Sequence, residues 1–88
     1  MSYHLDFSQQ AERDIETHKK SGNKPVLKKI LVLLNEVSER PFTGTGKPEH
    51  LKHSFAGCWS RRINQEHRLV YEVLDNKILI HSVKGHYK

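Results

Sequence analysis

Residues 58–83 read CWSRRINQEHRLVYEVLDNKILIHSV. Three runs within them, Cys58–Ile63, Arg68–Val73 and Lys77–Val83, are rich in β-branched, aromatic and aliphatic residues, and NQEH and LDN separate them with turn-forming residues. This composition predicts three strands. The connections are too short for a crossover helix, so the strands form an antiparallel meander. What precedes the meander must then cover one of its faces.

Upstream, PFTGTGKP at residues 41–48 holds two prolines and two glycines and reads as a loop. Before it, Asn23 caps a helix that tolerates Pro25 in its first turn, carries an apolar stripe of Leu27, Ile30, Leu31, Leu34 and Val37, and stops at Pro41. Val32 and Leu33 widen the stripe. They imply either burial on more than one side or an exposed strip for another chain, and packing statistics favour burial. From Gln9 to about Ser21 a weaker helical pattern places Ala11, Ile15 and His18 on one side, with Gly22 as its stop. Tyr3, Leu5 and Phe7 alternate with polar residues as in a half-buried strand, and Ser8 supplies the next N-cap. The order is β-α-α-β-β-β. Layer packing makes this one α+β domain over residues 1–88, an antiparallel sheet with two N-terminal helices packed on one face and polar residues on the other.

At 88 residues, one small core is all the chain can build. Lysine and arginine number 15 against 10 acids, and the net charge of +5 favours a polyanionic partner, most simply nucleic acid. The single cysteine, Cys58, has no internal disulfide partner and fits a reducing cytoplasm. The N-terminus lacks a signal-peptide pattern, and the longest aliphatic run, Ile30–Leu34, is far too short to span a bilayer, so a cytoplasmic protein without membrane attachment is expected. No Walker loop, dinucleotide fingerprint or GxSxG elbow is present, and no cofactor is expected. His50 and His53 lack a second ligand pair and there is no CxxC, so no metal site is expected either.

Chemistry concentrates in the second half. Between Lys47 and Arg68 lie five Lys/Arg residues with Phe55 and Trp59, which suits phosphate contacts and stacked single-stranded bases. A solvated basic face with Trp59 in the core explains the same composition. In GKPEHLKH, residues 46–53, Glu49 stands among Lys47, His50, Lys52 and His53. It is either one half of an exposed ion pair, worth roughly 0–1 kcal/mol, or a base; charge statistics favour the pair, as they favour a frayed terminal residue for His86. Together, however, Glu49, Arg62, Arg68 and His86 are a sufficient set for metal-free RNA cleavage: a base for a ribose 2′-hydroxyl, two cations for a phosphorane, and an acid for the departing 5′-oxygen. Strand parity sets a condition. Arg62 and Arg68 share a face only if an odd-length connection joins their strands.

The stretch GTGKPEHLKHSFAGCWSRRINQEHRLVYEV, with the terminal GHY, resembles the YoeB family of RelE-like bacterial toxins almost end to end. The resemblance implies the RelE-like α+β fold and the toxin of a type II toxin–antitoxin system. It implies an endoribonuclease that enters the A site of the 70S ribosome, cuts mRNA there, inhibits translation and is held by a YefM-like antitoxin. By matching motifs, the general base falls on Glu49 of KPE, the transition-state arginine on Arg68 of EHRLVY and the acid on His86. Lys52, Arg62 and Tyr87 match RNA-binding positions, with Lys47 and Arg61 as further phosphate contacts. The family usually ends on its tyrosine after an aromatic, whereas here Gly85 precedes His86 and Lys88 follows Tyr87. A homodimer through the helices and an antitoxin complex that binds operator DNA belong to the same expectation. One alternative stays open, a non-cleaving RNA- or ribosome-binding module or corepressor of this fold; a gyrase poison of this fold would need none of Glu49, Arg68 and His86, and the sequence argues against it.

Overall fold

The computed structural model describes residues 2–52 and 57–85. The expectations for His53, Phe55, His86 and Tyr87 therefore lie outside the described residues. The elements are β1 (His4–Phe7), α1 (Gln9–Lys20), α2 (Lys24–Glu39), β2 (Glu49–His50), β3 (Cys58–Arg62), β4 (Arg68–Val73) and β5 (Lys77–Ser82). Both helices begin where a side chain replaces a missing backbone partner: Ser8 Oγ accepts from the Ala11 amide at 3.0 Å, and Asn23 Oδ1 from the Val26 amide at 3.3 Å. Ser8 also donates through Oγ to the His81 carbonyl at 2.8 Å, so the cap that starts α1 fastens it to β5.

The sheet runs β1-β5-β4-β3-β2. It departs from the expected strand set in two places. Glu49–His50 add a short edge strand on β3 that a two-residue run in a polar segment cannot announce. At the opposite edge β1 pairs with β5 in parallel, so the sheet is mixed and only β2 to β5 are antiparallel. The two helices intervene between β1 and the meander and return the chain so that the two strands run the same way. The α+β architecture, with two helices on one side, is as the sequence implied.

Side-chain alternation divides the sheet. Leu69, Tyr71, Ile78 and Ile80 point to the helices and pack with Ala11, Val26, Ile30, Leu33, Leu34 and Val37. Leu51, Cys58 and Val70 form a smaller cluster on the opposite, open face. On α2 the widened stripe resolves both ways: Leu33 is fully buried, whereas Leu31, expected in the core, is 69 % exposed beside Val32 at 45 %. The sheet touches only one side of the helix, and Leu31 points away from it.

Candidate active site on the open face

β3 and β4 are joined through residues 63–67, an odd-length connection, and Arg62 lies directly opposite Arg68. The parity condition is met, and both guanidinium groups reach the open face. Glu49 is paired with Ser60, two residues before Arg62 on the same face. Lys47, Pro48, Glu49, Arg62 and Arg68 line one cleft of ≈ 410 Å³. Across it, Arg68 Nη1 stands 3.9 Å from Glu49 Oε1, with the arginine side chain mostly covered and the carboxylate 57 % exposed. The arrangement offers a carboxylate oxygen to solvent beside cations that match phosphate geometry.

The loop ahead of β2 shapes the approach. Gly44, Gly46 and Lys47 have φ of 126°, 81° and 51°, so the chain turns through left-handed backbone just before Glu49. Gly46 lies flat on β3: its carbonyl accepts from the Arg62 amide at 2.7 Å, and a Cβ there would come within 2.9 Å of the Arg62 carbonyl. Lys47 is a non-glycine residue in that region, a local strain of the kind that gathers at functional sites.

Arg61 corrects the expectation that it meets phosphate. It points to the helix side and is fully buried. Nε donates to Tyr71 Oη, Nη1 to Glu36 Oε1 at 3.2 Å and the Thr45 carbonyl at 3.4 Å, and Nη2 to the carbonyls of Arg40 and Thr43. A guanidinium has five N–H donors, and all five are engaged inside the protein. Arg61 is instead the post around which residues 40–45 wrap. Two Thr45 hydrogen bonds, backbone and side chain, together with the charges of Arg61 and Arg40, hold the Glu36 carboxyl below its ordinary range against the opposing effect of burial. Lys52 is exposed and lies outside the residues lining the cleft. Trp59 is half-buried on the helix side between Phe42 and His50, each ring centroid 5.1 Å away, so packing accounts for it.

Three residues not singled out for the site hold the end of the described chain. Asp14 and His18, both buried on α1, grip Val83: its amide donates to Asp14 Oδ2 at 3.0 Å, and its carbonyl accepts from His18 Nε2 at 3.0 Å. His67 Nδ1 accepts from the Gly85 amide at 2.9 Å, and the Gly85 carbonyl accepts from the Arg68 amide at 3.0 Å. Gly85, the residue before His86, is thus bonded to the backbone of an arginine in the cleft. The signal in the sequence was faint: an aspartate and a histidine four apart on a weak helix, useful only once β5 is placed beside them.

The chain matches the family model of YoeB-like toxins of bacterial type II toxin–antitoxin systems over residues 7–87. It is 51 % identical over 65 residues to Toxin YoeB of Escherichia coli K12, covering 74 % of this chain and 77 % of that one. A solved YoeB/ParE toxin from Agrobacterium tumefaciens superposes with a TM-score of 0.90 at 35 % identity, over 96 % of this chain and 99 % of that one. A YoeB dimer and a YoeB-YefM complex from Staphylococcus aureus superpose with TM-scores of 0.87 and 0.85 at 44 % and 45 % identity, each over 99 % of this chain and 100 % of that one. Fold and sequence agree, and the chain belongs to the YoeB-like toxins of bacterial type II toxin–antitoxin systems.

Proposed function

We propose that this chain is a ribosome-dependent endoribonuclease that cuts mRNA in the A site. The observation that carries the reading is the convergence of Lys47, Glu49, Arg62 and Arg68 on one cleft, with Arg68 3.9 Å from the Glu49 carboxylate. Glu49 takes the proton of a ribose 2′-hydroxyl. The freed oxygen attacks the adjacent phosphorus, the bond to the 5′-oxygen breaks, and His86 protonates that leaving group. The products are a 2′,3′-cyclic phosphate and a 5′-hydroxyl. Each proton transfer contributes ~10²–10⁴-fold in rate. Arg68, with Arg62 opposite it, stabilises the negative charge that builds on the phosphorane, and the scheme is complete without a metal ion. Lys47, Lys52 and Tyr87 hold the RNA. The Gly85 anchor on Arg68 supports this assignment, because it ties the chain to the cleft one residue before His86.

The protein acts as a toxin held by a YefM-like antitoxin and pairs with a second copy of itself. The Staphylococcus relatives, solved as a YoeB-YefM complex and as a dimer, support both, and the exposed Leu31 and Val32 on α2 offer an apolar strip to such a partner. The net charge of +5 suits approach to the ribosome and, in complex with antitoxin, to operator DNA.

Programmed ribosomes test the mechanism. Wild type should cut within the A-site codon, while Glu49→Gln, Arg68→Ala and His86→Gln each lose ~10²-fold or more. Cleavage by all three at the wild-type rate would sink the assigned roles. Ribosome binding without cleavage by wild type would replace the enzyme with the non-cleaving module, and efficient cutting of free RNA would remove the ribosome requirement.

A further inference from the structure

Away from the cleft, the open face gathers three side chains that ligate metals. Cys58 and Glu72 are directly opposite each other on β3 and β4, and His81 lies on β5 where its register with β4 shifts between Val70 and Tyr71. Their ligand atoms all lie within 4.8 Å of one another, and His81 Nε2 is 3.0 Å from Glu72 Oε1. The thiol forms the floor, with Cys58 8 % exposed, and the side chains of Glu72 and His81 form a rim, each 36 % exposed. An ion entering from solvent therefore meets three donors on one side and keeps water on the other.

We propose that Cys58, Glu72 and His81 form a zinc(II) site, with three protein ligands and a water molecule in the fourth position. The donor set selects the metal: thiolate and imidazole favour zinc over magnesium or calcium. Bonds of about 2.3 Å to sulfur and 2.0–2.2 Å to nitrogen and oxygen place tetrahedral ligand atoms roughly 3.3–3.8 Å apart. From separations of up to 4.8 Å the donors close by about 1 Å, while the His81–Glu72 pair, 3.0 Å apart, opens slightly, movements within reach of the half-exposed Glu72 and His81 side chains. Coordination replaces the S–H bond of Cys58 with a zinc–sulfur bond and releases the proton to solvent. His81 enters through Nε2 as the neutral Nδ1–H tautomer: the proton it shares with Glu72 leaves Nε2 to solvent, Nδ1 takes one up from solvent, the hydrogen bond to Glu72 gives way to the ion they then share, and no oxidation occurs.

Burial, and then the charge of Glu72, push the Cys58 thiol up from its ordinary pKa; both oppose the thiolate, and a bound dication reverses them. The ion would join β3 and β4, the strands that also present Arg62 and Arg68, to β5. Cys58 lies four residues from Arg62 along β3, about 13 Å at 3.3 Å per residue, so the zinc takes no part in the proposed cleavage and its role is to brace the sheet.

Cobalt(II) titration of the full chain, followed by absorption, tests the site. Wild type should show a thiolate-to-cobalt charge-transfer band that saturates at a single equivalent and disappears on addition of zinc. Cys58→Ser should lose the band, and His81→Gln and Glu72→Gln should weaken binding roughly tenfold or more. Zinc should raise the wild-type unfolding midpoint by roughly 5 °C or more and leave Cys58→Ser unmoved. Cobalt binding without the band, no binding, or equal zinc shifts in wild type and Cys58→Ser would each overturn the proposal by assigning any uptake to other histidines. Should Cys58→Ser fail to fold, the two rim variants decide: wild-type band intensity and affinity in both would overturn it equally.

Discussion

Arg61 and Arg62 are neighbours in sequence and opposites in structure. The first is fully buried on the helix side with every donor engaged by the protein; the second is exposed on the open face and lines the cleft opposite Arg68. One residue of strand alternation separates a group that holds the architecture from one displayed in the cleft. The helix-facing side of the sheet is thus where charge is consumed internally, and the open side is where charge is displayed. Basic residues in this protein cannot be assigned to RNA by composition; each must be assigned by its face.

The comparison breaks first at its buried half. Arg61→Ala takes this donor from the carbonyls of Arg40, Thr43 and Thr45 and removes the guanidinium from the Glu36 carboxylate, which keeps its two Thr45 donors, and should cost about 3–5 kcal/mol in urea unfolding, the scale for breaking a buried ionic network. A loss below about 1 kcal/mol would show that the loop does not depend on it. Arg62→Ala should do the reverse, leaving stability within about 0.5 kcal/mol while A-site cleavage falls ~10²-fold. If both variants lost stability equally, the division between faces would fail.

Gly46 tests the seam between the two regions, since it packs on the backbone of Arg62 with positive φ. Gly46→Ala should cost about 1–3 kcal/mol through left-handed strain and the close approach to the Arg62 carbonyl, and should slow cleavage by displacing Lys47 and Glu49. Unchanged stability and rate would mean that the loop reseats freely.

Glu36 sharpens the comparison through pH. Its carboxyl titrates below its ordinary 4.5 because Thr45 and then Arg61 favour the charged form. A depressed folded-state pKa contributes stability that is fully present above the unfolded-state value and is lost as pH falls through the folded one. Urea midpoints of wild type and Glu36→Gln should therefore differ at neutral pH and converge as pH falls below 4.5. A constant difference across that window would place the effect elsewhere. The smallest change should come from Ser60, fully buried on the open face, whose Oγ has no hydrogen-bond partner among the described residues. Ser60→Ala should stay within about 0.5 kcal/mol of wild type, because no bond is lost, and a larger loss would reveal a bridging water at that oxygen.

Much of the fold was legible because it rests on local chemistry. The strand alternation, the Ser8 and Asn23 caps and the glycine- and proline-rich loop at residues 41–48 each state their structure within a few residues. What failed to show was non-local. The two-residue β2 exists because β3 offers it an edge, and β1 runs parallel to β5 because two helices reverse the chain in between. Leu31 and Leu33 look alike in the stripe, and only the direction from which the sheet approaches α2 distinguishes 69 % exposure from none.

For the site, the residue types and the RelE-like motifs of the sequence by themselves determined the candidates Glu49, Arg62 and Arg68, because acid–base and phosphate chemistry demand those side chains and the strands bearing them are locally encoded. Tertiary structure decided the rest: that an odd connection sets Arg62 against Arg68, that Arg61 turns inward to anchor a loop, and that Asp14, His18 and His67 hold the backbone leading to residue 86. It also decided that Cys58, Glu72 and His81, on three different strands, share one point on the sheet. A sequence specifies which way each strand alternates, but contact between strands depends on register, and register is a property of the assembled sheet.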